Sequence, residues 1–166
     1  FHYEWSGIKP DVMAIAKAIG GGFPLGAFLA TKEAARGMVP GTHGSTFGGN
    51  PLATAVGNAV LDVMLEPGFL EGVKQKGLRL KQLMAALKDE HSDVIEEVRG
   101  VGLLAGVRFK PAIQAGDVMK AATAAKLLTV SAGDNVIRML PSLTVSEDEM
   151  KDGIARLSQA ITSLKK

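Results

Sequence analysis

Apolar residues along this chain fall into short unbroken runs, then into helical spacings, and then into runs again. VMAIA (Val12–Ala16) stands between Lys-Pro-Asp and three consecutive glycines. Such a run suits a buried strand or a turn of helix. Gly20, Gly21 and Gly22 favour the strand, since each glycine inside a helix costs about 1 kcal/mol. Residues 25–31 (LGAFLAT) form a second buried-strand pattern, and residues 32–37 suit a short helix. VPGTHGSTFGGNP, residues 39–51, is turn and loop chemistry almost throughout. Asn50 then supplies an N-cap and Pro51 a first helical residue. Leu52, Val56, Val60 and Val63 trace an apolar helix face as far as Leu65.

Glu66-Pro67-Gly68 breaks that helix and marks a domain boundary, giving domains at 1–66 and 67–166. A long helix is predicted over residues 69–90, with Val73, Leu80, Leu83 and Leu87 turned inward and lysines outward. Residues 94–109 change to two strands around Gly100 and Gly102, a hairpin-like unit. A helix follows over 117–128 and a short strand over 136–140, stopped by Pro141. Ser146 and Glu149 form a capping box. It opens a terminal helix that aligns Met150, Ile154, Leu157, Ile161 and Leu164. Strands alternate with helices throughout, which places the fold in the α/β class.

Composition narrows the functional classes. Hydrophobic residues make up 46% and charged residues 22%, enough for a core in an ordinary globular protein. A net charge of +2, with no basic cluster among aromatics, argues against nucleic acid as a partner. Cysteine is absent, and His2, His43 and His91 are widely spaced, so no metal site is expected. No apolar stretch reaches the roughly 18 residues of a membrane span. FHYEWSGIKPD lacks the pattern of a secretory signal and has no initiating Met. The expected setting is cytoplasmic.

Three places carry candidate chemistry. Lys17 lies at the end of the first apolar run. It suits either a strand-end lysine that snorkels to water or an amine partly desolvated into a nucleophile toward carbonyls. The following glycines would then clear room for a flat ligand. In HGSTFGGN, Ser45 and Thr46 sit among glycines, as in an ordinary surface loop or a cradle for an anion. Arg138 is a lone cation in the apolar VIRML. It would either pair with an acid at a sheet edge or clamp a carboxylate with its guanidinium fork. Arg99 and Arg108, in similar strands, read as structural, and His43 as packing.

Taken together, KPDVMAIAKAIGGGFPLGA, THGSTFGGNPLA and RMLPSLTV, in this order and at these separations, resemble the class III aminotransferases dependent on pyridoxal 5'-phosphate, in particular their acetylornithine group. The likeness runs over essentially the whole chain. It implies a fold type I transferase, with the C-terminal part of a large cofactor-binding domain followed by a small α/β domain. It implies that Lys17 forms the Schiff base with the cofactor aldehyde and that Thr46 binds the cofactor phosphate, reaching into a partner subunit's site. By the same likeness Ser45 lies at the substrate and Arg138 holds a carboxylate. The implied activity moves an amino group from N2-acetylornithine to 2-oxoglutarate in arginine biosynthesis, in a homodimer with shared active sites. Other ω-aminotransferases, acting on ornithine, succinylornithine, 4-aminobutyrate or lysine, are the alternatives, as is a non-catalytic folded fragment. In the family, the acid that pairs with the pyridine nitrogen, the ring-stacking aromatic and the glycine-rich phosphate loop precede the lysine. None of the sixteen residues before Lys17 matches them, so this chain is expected to be inactive alone.

Overall fold

The computed structural model describes residues 1–165. They form two compact units, the first Phe1–Phe69 and the second beginning at Leu70.

In the first unit, a short helix α1 (His2–Ser6) precedes strand β1 (Val12–Ala16), which pairs antiparallel with β2 (Gly26–Ala30). Between them the chain makes a 3-10 turn, Lys17–Gly20, and a second such turn spans Ala34–Gly37. Helix α2 (Pro51–Met64) starts as the sequence predicts: Asn50 Oδ1 accepts from the Ala53 amide at 2.9 Å, with Pro51 behind it. Its packing differs from the predicted face. Ala53 and Gly57 are the buried residues of α2, while Leu52 and Val63 stay exposed. Small residues win there because α2 lies against the 3-10 turn after β1. A Cβ on residue 57 would stand 2.8 Å from Leu25 Cδ2.

The second unit takes α3 (Phe69–Glu90) from Leu70 onward, then β3 (Ile95–Val101) and β4 (Leu104–Phe109), α4 (Ala115–Ala124), β5 (Val130–Ala132), β6 (Val136–Met139) and α5 (Glu147–Leu164). The strands form one antiparallel sheet in the order β3-β4-β6-β5. Leu80, Met84 and Leu87 of α3, Val118 of α4, and Met150, Ile154, Leu157 and Ile161 of α5 bury themselves with Val107, Phe109, Ile137 and Met139 of the sheet. The helices therefore cover one face of the sheet, a two-layer arrangement. At the approach of α3 to the β3–β4 turn, Gly77 is required. A Cβ there would lie 2.7 Å from Gly102 Cα. Among the described residues no helix is long and apolar enough to cross a membrane.

Candidate active site

Lys17 emerges at the end of β1 in a left-handed backbone conformation, with φ of 60°. Few residues with a Cβ adopt that region, and when they do the position is commonly functional. The lysine is exposed. Among the described residues its side chain makes no hydrogen bond or ion pair. The partly desolvated amine considered from the sequence is therefore not produced by these residues. Burial is conferred by neighbours, and here they leave the ammonium in water.

The glycines behind Lys17 serve the turn first. Gly21 donates to Ala18 O at 3.0 Å, and Phe23 donates to Gly20 O at 2.8 Å. Gly21 has φ of 56°, and a Cβ on it would lie 2.8 Å from Val60 Cγ2 of α2. The missing side chain of Gly21 thus lets the turn seat against α2.

Ser45 and Thr46 sit in the loop before α2, and both are exposed. The loop folds on itself: the Gly48 amide donates to Ser45 O and the Asn50 amide to Phe47 O, each at 3.3 Å. Those two amides are turned inward and leave the expected cradle. Neither the Ser45 nor the Thr46 hydroxyl bonds to a described residue. An open cleft of about 390 Å³ in the same unit is lined by Tyr3, Lys9, Asp11, Met13, Leu29 and Thr31 among others. None of the sequence-predicted site residues lines it.

Arg138 lies on β6, an internal strand between β4 and β5, and not on a sheet edge. Gly106 faces it in register on β4, and Arg99 faces Gly106 on β3. Ile137 and Met139 enter the core, so the intervening Arg138 is on the open face. Its two neighbouring arginines are occupied. Arg99 Nη1 meets Asp134 Oδ2 at 3.1 Å, while Arg108 Nη2 meets Asp134 Oδ1 at 3.2 Å and its Nε meets Glu96 Oε2 at 3.4 Å. Among the described residues no carboxylate pairs with Arg138. Of three arginines on one face, two are neutralised within the sheet and one is left to take an anion.

Two polar residues escaped the sequence reading. Asn135 bonds through its side chain to four backbone groups, and His91 is 3% exposed with an Nδ1 that finds no partner among the described residues. The Gly-Asp-Asn of residues 133–135 is a legible turn signal. Nothing local betrays the burial of His91.

Comparison with known proteins shows what the chain as a whole is similar to. The family described as aminotransferase class-III matches residues 1–161. Acetylornithine aminotransferase 1 of Bradyrhizobium diazoefficiens is 56% identical over 164 residues, which is 99% of this chain and 40% of the relative. Among solved structures, N-acetylornithine aminotransferase from Stenotrophomonas maltophilia superposes with a TM-score of 0.85 at 35% identity, covering 98% of this chain and 42% of that one. An ornithine aminotransferase from Plasmodium yoelii superposes with a TM-score of 0.88 at 27% identity, covering 98% and 43%. The chain thus spans about two fifths of the length of these relatives.

Proposed function

This chain belongs to the class III aminotransferase family, and from that premise we propose that it is part of an enzyme moving an amino group from N2-acetylornithine to 2-oxoglutarate. The donor is taken from the acetylornithine aminotransferases that match it at 56% identity and 35% identity. The observation that carries the reading is the pattern of engagement among cations. Lys17 and Arg138 stand exposed without partners among the described residues, while Arg99 and Arg108 share Asp134.

The family's cofactor is pyridoxal 5'-phosphate. The donor set suits it: an unengaged primary amine for an aldehyde and an unengaged hydroxyl for a phosphate oxygen. When bound, the cofactor supplies the electrophilic carbonyl and the electron-accepting ring. The residues supply attachment, orientation and proton movement. Lys17 would anchor the cofactor through its amine, and with that amine released, Nζ would take the proton from the donor's Cα. Thr46 would donate its hydroxyl to the phosphate, in a homodimer whose subunits share their sites. Ser45 would contact the acylated substrate, and Arg138 would hold a substrate carboxylate by two parallel N–H bonds.

On this reading residues 1–66 are the C-terminal part of the cofactor-binding large domain and residues 67–166 the small domain, in a cytoplasmic enzyme. A second reading, an ornithine aminotransferase, draws on the similarity to the Plasmodium yoelii structure. Rates of the full-length protein with N2-acetylornithine, ornithine and 4-aminobutyrate decide between them. We expect kcat/KM for N2-acetylornithine to exceed the others by at least about tenfold, about 1.4 kcal/mol of transition-state discrimination. A preference for ornithine would replace the proposed donor.

A further inference from the structure

The Arg138 strand is pinned by a residue that makes no claim on the substrate. Asn135 precedes β6 in a left-handed conformation, φ of 55°, immediately after Asp134 at φ of 64°. Its backbone carbonyl accepts from the Phe109 amide at 3.0 Å. Its side-chain Nδ2 donates back to Phe109 O at 3.0 Å and to Ile113 O at 2.8 Å. The same amide's Oδ1 accepts from Ala115 N at 2.7 Å, at the first residue of α4. Asn135 and Phe109 therefore exchange a donor and an acceptor, as two residues facing each other in an antiparallel ladder do. The donor to Phe109 O in that exchange is the side-chain amide of Asn135.

That exchange fixes register. Beyond it β6 pairs with β4 as Val136 with Arg108, Ile137 with Val107, and Arg138 with Gly106. A slip of one residue would carry every side chain of β6 to the opposite face. Arg138 would enter the core, and Ile137 and Met139 would enter water. Asp134 is held from the other side by Arg99 and Arg108. The strand is short, four residues, so its own ladder gives little resistance to slippage.

We propose that Asn135 is the positioning residue of the carboxylate site: its side chain locks the register of β6 on β4 and so sets Arg138 on the open face. This rests on the reading of Arg138 as the carboxylate clamp given above. The test is made on the full-length protein with Asn135→Asp, Asn135→Gly and Arg138→Ala. Asn135→Asp keeps the acceptor toward Ala115 and loses the donors. Asn135→Gly keeps the left-handed backbone without strain, and the melting temperature of each variant shows that it is folded at the assay temperature. The expected result is a KM for 2-oxoglutarate raised about fivefold or more in the Asn135 variants, with kcat within about twofold, parallel to a larger rise in Arg138→Ala. Amide exchange is measured beside it, with protection over Val136–Met139 expected to fall in Asn135→Gly. A folded variant with lowered melting temperature but unchanged KM would overturn the positioning role, leaving Asn135 as a structural cap. If Arg138→Ala left KM unchanged, the clamp reading would fall. Protection in β6 would then decide the register claim alone, a loss supporting it and unchanged protection overturning it.

Discussion

Buried polar groups are few among the described residues, and His91 shows what one of them costs. Its Nε2 lies 2.8 Å from Ser158 Oγ, and Ser158 in turn donates to Glu90 Oε1 at 2.8 Å. This chain closes when Nε2 carries the proton and Nδ1 is bare. Protonation would put a hydrogen on Nδ1, where no acceptor exists, at a cost of about 1–3 kcal/mol. Burial pushes the imidazole below its ordinary range, and Lys165 acts in the same direction against the opposing charges of Glu90 and Asp93. Lys165 is itself paired with Asp93 at 2.7 Å. Because the folded state binds the proton more weakly than the unfolded one, stability is present above the ordinary histidine value of 6.5 and is lost as pH falls below it. Urea midpoints should therefore fall between pH 7.5 and 5.5, and His91→Gln, which gains no charge, should flatten that decline. An equal decline in both proteins would remove His91 from the cause.

At the scale of elements, long-period patterns were legible and short or shared ones were not. Helix α3 runs Phe69–Glu90 as the spacing of Val73, Leu80, Leu83 and Leu87 indicated, because Pro67-Gly68 stops what precedes it. The capping box at Ser146 forms, with the Glu149 amide donating to Ser146 Oγ at 3.2 Å. Strand β5 went unread because three residues carry no period; only pairing with β6 makes them a strand. The face read for α2 holds in part: Val56 and Val60 are half-buried, while Leu52 and Val63 are exposed, because the sequence shows which residues are apolar, not which neighbour is near. Leu52 and Val63 stay exposed, while Ala53 and Gly57 are buried and Val60 lies against Gly21 of the turn after β1. Gly77 gives the same lesson a sign. Helix propensity favours Gly77→Ala by about 1 kcal/mol, but the added methyl meets the backbone of Gly102. Overpacking against backbone costs about 1–3 kcal/mol, so a net loss is expected, read as a lower urea midpoint. A more stable variant would mean that the turn yields freely.

At the scale of the molecule the two units differ in what they bury. The second holds the apolar cluster from Leu80 to Ile161, while the first buries Gly20, Ala53 and Gly57 among its described residues. Val12, Phe28, Leu29, Phe47 and Leu52 of the first unit remain exposed. A two-stranded sheet is marginal by itself, and the chain spans about 40% of its relative's length. The exposure of Lys17 follows from the same thin packing. That is why the motif around it was legible and its environment was not: the residue type is local, and desolvation is supplied by whatever surrounds it. The central claim is that Lys17 anchors the cofactor. It is tested most directly by adding pyridoxal 5'-phosphate to the full-length protein, reducing with borohydride, and locating the label by mass spectrometry. A cofactor-derived adduct on Lys17 is expected, with loss of the protein's visible absorbance in Lys17→Ala. An adduct on another lysine, or absorbance unchanged in Lys17→Ala, would contradict it.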